Sequence, residues 1–184
     1  MQLKSPTHEK FLLPHWKEFC DALQEHQFAL KCFPKEKDTG LAISGVELPP
    51  AVIEMLSNSL KSTHFKTIAF TNNRLHRYQD GIGFVSSCLR KNPLLEAFFF
   101  SGEQNDHIQG KEHAKKLCQS IETHPTIHTL QLNHCCRNGV DGYELLCSII
   151  TAAASKIKYL DFSCNSVSTR GDTFLADFLA TNPI

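Results

Sequence analysis

The feature that most restricts the fold is an apolar pattern that returns about every thirty residues, because such a chain stacks like units instead of condensing around one centre. In FKTIAFTNNRL, residues 65–75, Phe65, Ile68, Phe70, Asn73 and Leu75 occupy positions 1, 4, 6, 9 and 11. IKYLDFSCNSV, residues 157–167, repeats all five with Ile157, Leu160, Phe162, Asn165 and Val167. Between them, IHTLQLNHCCR keeps Ile127, Leu130, Leu132 and Cys135 but ends in Arg137, and LEAFFFSGEQN keeps Leu95, Phe98 and Phe100 before it degenerates. A weaker unit keeps Leu41, Ile43 and Leu48. The five units start at 38, 65, 95, 127 and 157, so they are spaced by 27, 30, 32 and 30 residues.

Each start is followed by apolar residues at spacings of three and four, the pattern of a helix with one buried face. These are Val52, Ile53, Leu56 and Leu60 after Pro49 and Pro50, then Val85, Cys88 and Leu89 after Gly81 and Gly83. Ala114, Leu117, Cys118 and Ile121 follow Gly110, Leu145, Leu146, Ile149 and Ile150 follow Gly142, and Phe174, Leu175, Phe178 and Leu179 follow Gly171. A short strand followed by a helix, five times over, predicts helices packed on one face of a parallel sheet.

These residues resemble the leucine-rich repeat family in its long, ribonuclease-inhibitor-like form. The resemblance rests on the L-x-x-L-x-L-x-x-N/C-x-L strand pattern, a glycine before the helix, and Asn-Pro before the next strand at Asn92-Pro93 and Asn182-Pro183. It covers about residues 38–184 as some five repeats, with the last one incomplete. It implies an α/β solenoid, or horseshoe, with parallel strands on the concave side and helices on the convex side. The stretch SGEQNDHIQG, residues 101–110, departs from the pattern.

Residues 1–37 fit no repeat. Within them Phe11, Leu12, Trp16, Phe19, Cys20 and Leu23 stand at roughly helical spacing, with Pro14 near an early turn. This segment is expected to be an N-terminal helical cap over the open end of the stack. At the other end, LATNPI stops where another strand would begin, so a fragment of a longer repeat protein or a covering partner is expected there; without such a partner the chain is expected to be monomeric.

Nineteen basic residues balance nineteen acidic ones, which gives no net field to attract nucleic acid or an anionic membrane. The longest apolar windows, LLEAFFF and LLCSIITAAA, are far short of the roughly 20 residues that span a bilayer. The opening MQLKSPTHEK is not signal-like, and eight cysteines in 184 residues are too few for a disulfide scaffold. Reduced thiols and a cytoplasmic site of action are expected.

Chemistry-bearing residues concentrate between His124 and Cys136, where His128, His134 and Cys135 also lie. No C-x-x-C pair occurs, and Cys135 and Cys136, read as strand neighbours, would diverge. Cys88, Cys118 and Cys147 lie on or beside apolar helix faces, so neither a metal nor another cofactor is expected. No nucleophile elbow, P-loop or dinucleotide fingerprint is present, and no enzymatic activity is expected. Because some relatives that the resemblance implies activate small GTPases, Arg74 beside Asn73 is the candidate for an alternative, enzyme-regulating role.

Period-two alternation sends positions 1, 4 and 6 to the core and the intervening ones outward. Stacking then aligns Ala42, Ala69, Phe99, Gln131 and Asp161 in one row, Gly40, Thr67, Ala97, Thr129 and Tyr159 in a second, and Thr39, Lys66, Glu96, His128 and Lys158 in a third. Position 8 reads Gly45, Asn72, Gly102, His134 and Cys164. Phe99, Gln131, Asp161, Tyr159, His128 and His134 are therefore the expected partner-binding residues, an aromatic anchor with polar surroundings. Five strands about 4.8 Å apart, each exposing about 17 Å, give a face of roughly 400 Å². That is half of one partner's usual share of about 800 Å², so adjoining loops are expected to take part. The expected function is non-catalytic recognition of another protein. A structural scaffold role is a further alternative, and the abundance of His, Lys, Phe and Asn with uneven repeats would suit a microbial effector in a host cytosol.

Overall fold

The computed structural model describes residues 12–32, 39–61, 65–75, 78, 80–102, 111–137, 139–153 and 156–181. Strands and helices alternate: α1 (Leu13–Cys32), β1 (Gly40–Ser44), α2 (Pro50–Ser59), β2 (Thr67–Thr71), α3 (Gly81–Lys91), β3 (Ala97–Ser101), α4 (Lys111–Glu122), β4 (Thr129–Asn133), α5 (Gly139–Ala153), β5 (Tyr159–Asp161) and α6 (Thr169–Thr181). The strands form one parallel sheet in chain order, β1-β2-β3-β4-β5. Every strand begins at the third position of its predicted repeat, so the stacked rows read from the sequence are the rows of the sheet.

The core lies between the sheet and the helices. Leu41, Ile68, Phe98 and Leu130 at position 4, and Ile43, Phe70, Phe100 and Leu132 at position 6, are buried, while their strand neighbours are partly or fully exposed. Helix residues Val52, Leu56, Val85, Leu89, Leu117, Leu145 and Ile149 complete the same core. Phe70 and Phe84 join the layers with ring centroids 5.2 Å apart. Each fully buried side chain of this kind contributes roughly 1.5–3 kcal/mol, which is why the apolar positions set the register.

Position 8 turns the chain out of the strand. Gly45, Asn72, His134 and Cys164 all have positive φ, between 53° and 66°. Glycine takes this left-handed conformation freely, and asparagine tolerates it; histidine and cysteine do so at a cost of about 1–2 kcal/mol. The backbone N–H groups of Gly45, Asn72 and Gly102 then donate to Thr71, Ser101 and Asn133 carbonyls, which extends the ladder one step past the strands.

The glycines read as preceding the helices lie instead in their first turns. Gly81 opens α3, and Gly142 and Gly171 are inside α5 and α6. A Cβ on Gly81 would sit 1.8 Å from the Leu75 carbonyl oxygen, and one on Gly142 would sit 2.0 Å from that of Ser166. The missing side chain lets the helix start press on a neighbouring turn.

α1 packs against α2, and its Cys20 and Leu23 join the core that also holds Leu41 and Ile43 of β1. Trp16, Cys20 and Leu23 form its packed stripe, and Gln24 donates to Ser59 Oγ at 3.2 Å. Phe19, one residue off that stripe, stays 38% exposed with its ring edge-on to Trp16. Phe11, most of residues 101–110 and Asn182-Pro183 fall outside the described residues. Among the described residues no helix is long and apolar enough to cross a membrane.

Candidate interaction face

The sheet face turned away from the helices carries the residues singled out above. Cross-strand pairing places Ala69 beside Phe99, Phe99 beside Gln131, and Gln131 beside Asp161. Phe99, Gln131 and Asp161 are each partly exposed. Tyr159, paired with Thr129, is 55% exposed, the most exposed of the large apolar side chains among the described residues. The face grades from small side chains on β1 and β2 to large ones on β3, β4 and β5.

His128 precedes β4 and stands in the row that runs from Lys66 and Glu96 to Lys158. Glu96 sits between Lys66 Nζ at 3.4 Å and His128 Nε2 at 3.8 Å, with all three side chains about two-fifths exposed. Such surface pairs add little stability, but they fix side-chain order along the edge of the face. His128 Nδ1 also meets Thr129 Oγ1 at 3.1 Å. His134 does not extend the β4 row. It is the left-handed turn residue after Asn133, so it borders the face from the loop side.

Two neighbours on this face were not singled out from sequence. Asn133 Nδ2 donates to Asp161 Oδ2 at 3.0 Å, and the Ser163 N–H donates to Asp161 Oδ1 at 3.0 Å. The Asn133 amide first, then Ser163, hold the Asp161 carboxyl below its ordinary range, so it stands on the face as a fixed anion. Asn133 and Ser163 share position 7 with Ser44, Thr71 and Ser101; reading that column as the others were read would have found them. Thr71 Oγ1 donates to Ser44 Oγ at 2.6 Å at the other end of the same column.

The remaining chemistry-bearing residues go into structure. His124 is buried at the end of α4, where Nε2 donates to the Asn92 carbonyl at 3.0 Å and Nδ1 accepts from the Thr126 N–H at 3.3 Å. Burial lowers its pKa, keeping the neutral tautomer that these two bonds require. Cys135 and Cys136 do not diverge: both are buried, because β4 has already ended at Asn133 and they lie in the turn. Their N–H groups both donate to Asn165 Oδ1, at 2.7 and 2.8 Å. Burial pushes the Cys88 thiol up to about 12 and raises Cys135 well above its usual value, so these groups pack as small apolar residues. Among the described residues no three His, Cys, Asp or Glu side chains are grouped to hold a metal. Arg74 is a turn residue with φ 56°, and its Nη1 lies 3.5 Å from Glu47 Oε2, while Tyr78 Oη donates to Glu47 Oε1 at 2.5 Å.

No protein-family model matches the chain, and no curated protein matches it either. Among solved structures it is similar to the tropomodulin C-terminal domain of Caenorhabditis elegans, at 14% sequence identity and a TM-score of 0.56, over 89% of this chain and 91% of that one. At that identity the likeness is one of fold: a repeat protein in which parallel strands alternate with helices.

Proposed function

We propose that this chain is a leucine-rich repeat solenoid whose strand face is concave and whose work is to bind another protein without catalysis. The repeat signature in register on five parallel strands, and the repeat-like fold shared with the tropomodulin domain, support the family reading. The observation that carries the function is the row Phe99–Gln131–Asp161 with Tyr159 beside it: an aromatic anchor, a hydrogen-bonding amide and a fixed anion on one open face. His128 sits at the edge of that patch and His134 borders it from the loop. Free thiols at Cys20, Cys88, Cys118, Cys135, Cys136, Cys147 and Cys164 suit action in a reducing, cytoplasmic compartment. The engagement of Arg74 with Glu47 weighs against the GTPase-regulating alternative, which needs an arginine free to enter a partner's site.

The test is retention of a partner by the immobilised chain, beside a Phe99→Ala, Asp161→Arg double variant and a Phe99→Ala, Tyr159→Ala variant, with bound proteins identified by mass spectrometry. A protein held by the parent and lost by variants of unchanged melting temperature supports recognition through this face. Equal retention by all three moves the binding site elsewhere, and a large drop in melting temperature makes Phe99 and Tyr159 core residues.

A further inference from the structure

The helical layer carries a second feature that the strand face does not explain. α2 and α3 approach each other less closely than α3 and α4 or α4 and α5. Among the described residues no side-chain hydrogen bond joins α2 to α3, whereas Arg90 of α3 reaches Ser120 of α4 at 3.2 Å. The gap is a groove of about 900 Å³, walled on one side by α2 between Pro50 and Asn58 and on the other by Tyr78, Asp80 and α3 as far as Ser87. Its length along each helix is about two turns, or roughly 11 Å.

The lining gives the groove its chemistry. Gly83 stands on its α3 wall, and a Cβ there would meet nothing within 4 Å, so the groove is open at this point and has room for a side chain. Ile53 and Phe84 supply an apolar floor and are themselves 4% exposed. Glu54 and Asp80 stand at its walls as exposed carboxylates, and they are the only charged side chains among its described lining residues. Among the described residues neither has an ion pair or a side-chain hydrogen bond; Asp80 stands at the N-cap of α3 without capping it. An apolar floor flanked by two unmatched negative charges is complementary to an apolar side chain followed closely by a basic one.

We propose that the α2–α3 groove receives a short helical segment of a partner protein, about two turns long, that seats an apolar side chain over Ile53 and Phe84 and pairs a lysine or arginine with Glu54 and Asp80. This is helix-in-groove recognition, with anchors spaced by three or four residues. It lies on the opposite layer from Phe99 and Tyr159 and stands independently of the strand-face reading. Gly83 acts as the opening through which the anchor enters.

A displayed library of random peptides, about twelve residues long, selected on the full chain tests this directly. The expected outcome is enrichment of peptides with a lysine or arginine within one helical turn of a large apolar residue. Their affinity, read by fluorescence anisotropy, should fall by about tenfold or more in Gly83→Trp, which fills the groove, and in the Glu54→Lys, Asp80→Lys double variant, which reverses its charge. Phe99→Ala should leave that affinity unchanged. The charge-reversal variant alters only exposed side chains, so it remains informative if Gly83→Trp proves unstable by circular dichroism. Four results would overturn the proposal: no peptide selected, selected peptides without basic residues, peptides sensitive to Phe99→Ala but not to the groove variants, or a dimer of the chain itself that Gly83→Trp dissolves.

Discussion

Phe65, Ile68, Phe70, Asn73 and Leu75 of the second repeat are at most 2% exposed, whereas Ile157, Leu160, Phe162, Asn165 and Val167, which fill the same five positions of the fifth repeat, are all partly or fully exposed. The two segments are equivalent as sequence. β2 is paired on both sides, by β1 and β3, whereas β5 is shorter and, among the described residues, is paired only by β4. Burial in a stacked fold is thus conferred by the neighbours of a repeat, and the same residue type contributes stability in proportion to how many neighbours it has.

The sharpest way to break this comparison is to truncate the same ring twice. Phe70→Ala should cost about 3–5 kcal/mol in urea unfolding, as for a fully buried aromatic, and Phe162→Ala about 1 kcal/mol. Equal losses would mean that the fifth repeat is as closely packed as the second.

Position 9 should reverse the order. Asn165 accepts the N–H groups of Cys135 and Cys136 and donates to the Leu132 carbonyl at 2.5 Å, whereas Asn73 donates to the Val46 carbonyl at 2.8 Å and its Oδ1 has no partner. Asn165→Ala should therefore cost about 3 kcal/mol and Asn73→Ala about 1 kcal/mol, because each buried backbone group left unpaired is expensive. If Asn73 proves the costlier, burial outweighs bond number at this position.

A smaller contrast concerns the first-turn glycines. A Cβ on Gly81 meets the Leu75 backbone, which cannot yield cheaply, and Gly81→Ala should cost about 2 kcal/mol. A Cβ on Gly171 meets Val167 Cγ1 at 2.0 Å and Tyr143 Cδ2 at 3.3 Å, partly exposed side chains and not backbone, and Gly171→Ala should cost less, about 1 kcal/mol.

The least effect is expected from pH. His124 in the folded chain has its pKa below the ordinary histidine value of 6.5 because it is buried. The unfolded chain therefore binds the proton first as pH falls, so stability is full above 6.5 and declines below it towards the folded pKa. His124→Asn should flatten that slope in thermal melts between pH 7.5 and about 5.5. It keeps a donor where Asn92, the corresponding helix-end residue of the second repeat, donates to the Phe65 carbonyl at 2.6 Å. An unchanged slope would assign the pH dependence to another group.

What was legible in the sequence was whatever repeats. The five strands, their register and the rows Phe99–Gln131–Asp161 and Lys66–Glu96–His128 follow from a period and an alternation, which are local properties. Features set by a neighbouring unit were not legible. Whether Ile157 or Phe65 is buried depends on the flanking strands. The fate of Cys136 depends on Asn165, nearly thirty residues later, and the place of Gly142 depends on the backbone of Ser166. The α2–α3 groove depends on how far two helices stand apart, and no residue pattern in either helix states that distance. The position-7 column that holds Asn133 was available from the sequence, but its bond to Asp161 of the position-5 row depends on the side-chain conformation of both residues.

Three position-9 side chains point the same way along the chain: Asn73 to Val46, Cys135 to the Phe100 carbonyl, and Asn165 to Leu132, each reaching a carbonyl of the preceding repeat. A chain that leaves the ribosome N-terminus first would offer those carbonyls before the side chains that claim them exist. Each new repeat would then dock these side chains on carbonyls already in place, while the N–H groups of Cys135 and Cys136 would wait for Asn165 of the repeat that follows. The seam between repeats is thus closed from both sides, and loss of the exposed fifth repeat would open the fourth by freeing the Cys135 and Cys136 N–H groups.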